Sequence, residues 1–180
     1  MLYKFVCDAA NILRLRLLPA ADYRYPPIVF AAILFLLGLT NAAGISPLFG
    51  NSPAVIALAI AFAVARWAVL SAVMQSRLQL PARGFILATE ALSVPILAVF
   101  YLPQLAFAAS LWQGWALAVQ IIGLMRLSGK SAGRVIISYL IALLLLLLVG
   151  MSLTVLFNLM GWIDAQAMHQ TMMQVLESRK

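Results

Sequence analysis

Two charged residues, Arg66 and Glu90, interrupt otherwise apolar stretches of this sequence. They lie at equal distances along the chain from Leu78, so a symmetric helical hairpin centred there would bring them to nearly the same depth in a membrane. Each alone in lipid costs about 2.5 to 3.5 kcal/mol on insertion scales, and pairing inside a helix bundle relieves that cost. We therefore predict an intramembrane Arg66–Glu90 pair. It serves either as a structural salt bridge, which we favour, or as part of an ion or substrate path with a proton-sensitive switch at Glu90.

Further polar and helix-breaking residues accompany this pair in the apolar stretches. Pro95 follows Glu90 in the same stretch and removes the hydrogen bond to the carbonyl group of Ala91, which predicts a helix kink. We expect a packing bend there, and a kink that exposes carbonyl groups to a cavity is the alternative. Gln120 is expected to donate a hydrogen bond between helices.

The remaining candidates for catalysis, metal binding or nucleotide binding each lack a necessary partner. The single histidine, His169, has methionines beside it, but a zinc protease would need a second histidine. Ser152 has no histidine within the apolar stretches to act as its base. The segment Ser128–Ser131 ends like a phosphate-binding loop, although Gly123 is one residue too far away and no strand precedes it. We therefore expect no enzyme activity, no cofactor and no metal site.

The composition predicts that these residues sit in membrane helices. The chain has 180 residues, of which 65% are hydrophobic and 9% charged, and its mean hydropathy is +1.05. Soluble domains contain about 25% charged residues, so lipid must be the main solvent. The fold class is an all-α integral membrane protein with a bundle of five transmembrane helices. The predicted spans are Ile28–Ala43, Ala54–Met74, Gly84–Leu102, Leu105–Met125 and Val135–Met160.

The distribution of basic residues predicts the orientation of the bundle. Loops that stay in the cytoplasm are enriched in Lys and Arg. The gaps Gly44–Pro53 and Leu102–Gln104 carry no charge, whereas the two opposite loops are basic. We predict contacts of these loops with anionic lipid headgroups or a partner on the cytoplasmic face through Arg77, Arg83, Arg126, Lys130 and Arg134. The net charge of +7 comes from residues that flank apolar runs, so it does not indicate nucleic-acid binding.

The two ends of the chain are predicted to be amphipathic helices outside the five-span domain of residues 26–160. Met1–Leu18, within a cytoplasmic segment of residues 1–25, places Lys4, Asp8, Asn11 and Arg14 on a polar side. Such a helix lies in the membrane interface or packs on a partner helix. Residues 161–180 form the predicted extracytoplasmic tail.

The middle of the chain, from about Pro26 to Gly150, resembles the Yip (Ypt-interacting protein) domain in its bacterial form. The residues that carry the resemblance are Ala91-Leu92-Ser93-Val94-Pro95, Trp115, Ile121-Ile122-Gly123-Leu124, Gly129-Lys130-Ser131 and Arg134. The resemblance implies five spans, a cytoplasmic N-terminus and a short extracytoplasmic tail. Eukaryotic members act in vesicle traffic and bind Rab-type small GTPases. The N-terminus here lacks the longer acidic segment of those members, which removes the expected GTPase contact.

The sequence therefore predicts a non-enzymatic, multi-pass protein of the bacterial inner membrane that organises or binds other membrane proteins or lipids. A membrane protein or a second copy of the chain is the expected partner. The alternative is a small transporter or channel subunit that uses Arg66 and Glu90. A cavity that reaches Glu90 would favour transport, whereas a packed core would favour the organising role.

Overall fold

The structure, a computed structural model, describes residues 2–49 and 52–163, which are mainly helical and contain no strand. The α-helices are α1 (Leu2–Leu13), α2 (Pro27–Phe49), α3 (Pro53–Leu78), α4 (Arg83–Glu90), α5 (Ala98–Tyr101), α6 (Ala106–Ser128) and α7 (Ala132–Leu159). Short 3₁₀ segments occupy Ala20–Asp22, Ala91–Leu97 and Pro103–Leu105. The all-α class predicted from composition is confirmed.

Four helices among the described residues are long and apolar enough to cross a membrane. They are α2, over its stretch Pro27–Ser46, and α3, α6 and α7 over their full lengths. Each corresponds to a predicted span. The predicted span Gly84–Leu102 is different, because it consists of α4, the 3₁₀ segment Ala91–Leu97 and α5 rather than one continuous α-helix.

The break in this segment follows from Pro95. In a 3₁₀ helix the carbonyl group of Leu92 would accept from the residue three positions later, which is Pro95 and has no N–H group. The indole Nε1 of Trp112, on α6, donates to the Leu92 oxygen instead, at 2.6 Å. At the expected kink, the chain therefore changes from α-helix to a 3₁₀ helix of seven residues, and the side chain of Trp112 stabilises this segment.

Helix α4 lies at the centre of the bundle. Every residue from Gly84 to Glu90 is buried, and α4 contacts α1, α2, α3 and α6. Glycine permits part of this close approach: a Cβ atom on Gly84 would collide with the backbone of Tyr23. A long hydrophobic cluster extends from α1 through α4 to α7.

The N-terminal helix is shorter than predicted and presents a different face. It ends at Leu13 rather than Leu18, because Leu15 adopts a left-handed backbone (φ 58°). The amide of Arg16 bonds to the carbonyl oxygen of Asn11 at 2.9 Å, the pattern that closes a helix C-terminus. The prediction that Asp8 belongs to a solvated polar side was wrong: Asp8 is buried together with Phe5 and Ile12. Helix α1 packs on α4 and α6.

Helix α7 exposes most of its apolar surface. Only 11% of its most apolar stretch is buried, and Leu143, Leu144, Leu147 and Leu148 are all exposed. Lipid is the environment that suits such a helix. The chain turns at Gly161, and the predicted tail helix otherwise lies outside the described residues.

Candidate functional site: a polar cavity at Arg66 and Glu90

Arg66 and Glu90 form an ion pair in the structure. The Arg66 Nε atom lies 3.0 Å from Glu90 Oε2, and Arg66 Nη2 donates to Oε1 at 3.2 Å. Two parallel contacts of this kind fix the planar guanidinium group against the carboxylate. Arg66 is on α3, and Glu90 is the last residue of α4, so the pair joins these helices immediately before the 3₁₀ break.

The two partners differ in exposure. The Glu90 side chain is 7% exposed, whereas the Arg66 side chain is 47% exposed. The carboxylate is therefore held inside the bundle, whereas much of the Arg66 side chain is accessible.

The pair opens onto a partly enclosed cavity of about 720 Å³. Its wall includes residues of α2, α3, α4, the 3₁₀ segment Ala91–Leu97, α6 and α7. The polar residues in that wall are Thr40, Asn41, Arg66, Thr89, Glu90, Ser93, Gln113, Gln120 and Thr154. Six elements of the bundle thus contribute polar groups to one space.

The hydroxyl groups of the wall donate their protons to their own helices. Thr40 Oγ1 donates to Leu36 at 2.9 Å, Ser93 Oγ to Glu90 at 2.7 Å, and Thr154 Oγ1 to Gly150 at 2.9 Å, each bond ending on a backbone oxygen. A hydroxyl oxygen that has donated its proton still has acceptor capacity. These three residues can therefore accept hydrogen bonds from a ligand without losing their own.

Gln120 has an unsatisfied amide at the cavity. The residue is 5% exposed, and its Nε2 atom has no hydrogen-bond partner among the described residues. The expected hydrogen bond from Gln120 to another helix is thus missing. A buried amide without a partner costs roughly 1 to 3 kcal/mol, which a ligand acceptor or a water molecule would relieve.

Tyr139, on α7, is another polar residue close to the Arg66–Glu90 ion pair. Its hydroxyl group is buried without a hydrogen-bond partner among the described residues, and it interacts electrostatically with Glu90 and Arg66. Tyr139 is not part of the cavity wall. The sequence prediction did not include it.

The predicted headgroup contacts gather at one end of the bundle. Arg77 and Arg126 lie in the last turns of α3 and α6, and Arg83 and Arg134 lie in the first turns of α4 and α7. These four are exposed, and Lys130, in the connection between α6 and α7, is half-buried. None of the five takes part in an ion pair within the described ranges. Their charges are therefore available to phosphate groups outside the protein.

The kink residue contributes to the cavity indirectly. Pro95 itself is exposed, but the 3₁₀ segment that contains it supplies Ser93 and Ile96 to the wall. The alternative prediction, a kink that exposes carbonyl groups to a cavity, stays a prediction, as does the packing bend.

Several wall residues were not found from the sequence. Thr40, Asn41 and Thr154 each stand within an apolar run, which is a signal in itself, but nothing local shows that they share a space. His169 and the methionines near it lie outside the described residues. Among residues 2–49 and 52–163, no three His, Cys, Asp or Glu side chains come together as metal ligands would.

The chain matches no protein-family model, no curated protein and no solved structure.

Proposed function

We propose that the protein is a small membrane transporter that takes a small polar solute into the cavity at Arg66 and Glu90. The observation that carries this proposal is the cavity of about 720 Å³, with polar residues in its wall, that reaches an ion pair between apolar helices. Binding sites for small molecules usually enclose about 300 to 1,000 Å³. Charged residues inside membrane helices typically face such cavities and mark solute pathways.

The broken helix supports the same proposal. Discontinuous membrane helices commonly surround transporter binding sites, because irregular backbone is tolerated at membrane depth where it lines a cavity or is buried in protein. Here the break starts at the residue after Glu90 and supplies Ser93 to the wall. A packed core around Glu90 would have favoured the organising role instead.

We also propose five membrane crossings, with the broken segment as the third. At the rises typical of α- and 3₁₀-helices, Arg83–Tyr101 extends about 30 Å, which equals the thickness of a hydrocarbon core. Contacts of Phe85 with Gly123 and of Leu92 with Trp112 support an antiparallel arrangement of this segment and α6. In that arrangement α4 packs on α3 and α6, and the 3₁₀ segment packs on α2 and α6.

The proposed location is the inner membrane of a bacterium, with the basic end of the bundle and the N-terminus in the cytoplasm. The lipid bilayer is the principal partner, supported by the exposed leucines of α7 and by the five basic residues that form no ion pair within the described ranges. We also propose that the chain belongs to the Yip family, on the basis of the motifs around Pro95, Gly123 and Arg134. We further propose that it catalyses no covalent reaction.

Accessibility of introduced cysteines tests whether the cavity is open to water. In a Cys7→Ser background, Thr154→Cys and Thr40→Cys lie in the cavity wall, and Leu144→Cys lies on the exposed apolar face of α7 as the control. We expect a membrane-impermeant thiol reagent to modify the two cavity cysteines in membrane vesicles and to spare the control. Unreactive cysteines at both cavity positions would refute a solute path.

A further inference from the structure

We infer that the solute is a small zwitterion, a molecule without net charge that carries a carboxylate and an ammonium group. This inference rests on the proposed transport function and adds the chemical class of the solute. The charge of the cavity, its free donors and its free acceptors each support it.

The charge of the cavity favours a ligand without net charge. Among the residues of its wall, Arg66 contributes one positive charge and Glu90 one negative charge, and the two are paired. A ligand with a net charge would add an uncompensated charge in a space surrounded by apolar helices, where solvation is poor. A zwitterion adds none, and its two groups can each face one member of the pair.

The guanidinium group of Arg66 provides the site for the carboxylate. Glu90 engages Nε and Nη2, and Nη1 has no partner among the described residues. The side chain is about half exposed, so a carboxylate can reach it from the cavity. Gln120 lines the same wall, and its amide nitrogen is buried without a hydrogen-bond partner among the described residues.

Oxygen atoms provide the site for the ammonium group. Thr40, Ser93 and Thr154 have donated their protons to backbone oxygens and can accept from a ligand. Glu90 supplies negative charge in the same wall. An ammonium group has three donors and no acceptor, so it matches a surface of this kind.

Apolar residues complete the wall and indicate an apolar substituent on the zwitterion. Phe62, Leu58 and Leu117 line the same space. An amino acid such as leucine combines a carboxylate, an ammonium group and an apolar side chain, and is small relative to the cavity. It is therefore the probe for this inference.

The test compares three probes that share the leucine side chain. L-Leucine is a zwitterion, L-leucinamide a cation and N-acetyl-L-leucine an anion at neutral pH. The readout is the rate at which the thiol reagent modifies Ala116→Cys, with Ile45→Cys as a second reporter, in the full-length Cys7→Ser protein; both residues line the cavity and neither is assigned a contact with the solute. At about ten times its Kd, leucine should slow modification about tenfold by mass action, and the charged analogues should slow it much less.

The possible outcomes separate this inference from the proposed function. If leucinamide or N-acetyl-leucine protects as well as leucine does, the zwitterion inference is wrong. If the cysteines react but none of the three probes protects them, the cavity is open and the inferred class of solute is wrong. If the cysteines do not react at all, the transport proposal fails and the inference fails with it. As a control for site specificity, Arg66→Gln together with Glu90→Gln should abolish protection by leucine while the cysteines still react.

Discussion

The ring of Phe85, on α4, lies directly against the backbone of Gly123, on α6. Phe85 is completely buried, and a Cβ atom on Gly123 would collide with the end of its ring. Helix α4 can therefore pack this closely on α6 only because residue 123 of α6 is a glycine. Because α4 also ends in Glu90, this contact helps to set the position of the carboxylate.

Gly123→Ala should lower the free energy of unfolding by about 1 to 3 kcal/mol, because the fully enclosed ring of Phe85 has no space to move into. Gly114→Ala is the matched control on the same helix, since nothing lies within 4 Å of a Cβ atom there. Alanine favours a helix over glycine, so the control should be neutral or stabilising. Thermal unfolding of both variants in detergent gives the comparison, and equal destabilisation would contradict the contact.

The Arg66–Glu90 pair should show strong coupling in a double-mutant cycle. Arg66→Ala leaves a buried carboxylate alone and should cost about 3 to 5 kcal/mol. Glu90→Ala leaves a half-exposed guanidinium group without its partner and should cost less. The double variant should lose less than the sum of the single losses and should be more stable than Arg66→Ala, because it contains no unpaired buried carboxylate. Additive losses in the unfolding free energy would show that the two side chains do not stabilise each other.

The predictions from the sequence agree with the structure where the position of a helix or a side chain depends only on residues nearby in the sequence. Hydrophobic length alone places α2, α3, α6 and α7, because crossing lipid needs about twenty apolar residues whatever their neighbours are. Equal spacing about Leu78 brings Arg66 to Glu90 for a similar reason, since a hairpin is a local structure.

The differences arise where the decisive partner is distant in the sequence. The extent of the 3₁₀ segment depends on Trp112, which lies 20 positions from the Leu92 carbonyl group that it satisfies. Asp8 is buried because the Tyr25 hydroxyl donates to it at 2.9 Å, and helical periodicity cannot reveal that contact. The cavity needs Thr40 and Thr154 from two separate helices, so only the assembled bundle shows it.

Trp112→Phe should destabilise the broken segment, because it leaves the Leu92 carbonyl group without its donor. We expect a loss of about 1 to 3 kcal/mol in the free energy of unfolding. In a Pro95→Ala background the backbone can provide the missing N–H group, so the same substitution should cost less there. Trp115→Phe is the control, since Trp115 is exposed and makes a longer bond of 3.2 Å to Leu13. Losses of the same size in both backgrounds would disprove the link between Trp112 and Pro95.

Raising the pH above 10 should weaken the junction between α1 and α2. Burial raises the pKa of Tyr25 well above its usual value of 10.0, and the hydrogen bond to Asp8 raises it further. Burial also raises the pKa of Tyr23. In the unfolded chain these tyrosines ionise near pH 10, whereas in the folded protein they stay neutral, so stability is constant below pH 10 and falls above it. Unfolding measured between about pH 8 and pH 11 should show a smaller decline for Tyr25→Phe than for the wild type. An unchanged decline would exclude Tyr25 as its source.

The number of crossings can be decided by the location of the C-terminus. Without a crossing by Arg83–Tyr101, residues 2–49 and 52–163 contain four candidate spans, an even number, and a reporter after Lys180 would then report the side of the N-terminus. If Arg83–Tyr101 crosses as proposed, a reporter that works only outside the cytoplasm should be active when fused after Lys180. The same reporter should be inactive when fused after Lys130, in the basic connection between α6 and α7. A reporter that is inactive after Lys180 and active after Lys130 would contradict five crossings that start from a cytoplasmic N-terminus. A third fusion after Gln79, between α3 and α4, separates the two explanations of that result. Inactivity after Gln79 would mean an even number of crossings, with the broken segment entering and leaving the membrane on one side, whereas activity there would mean the reversed orientation.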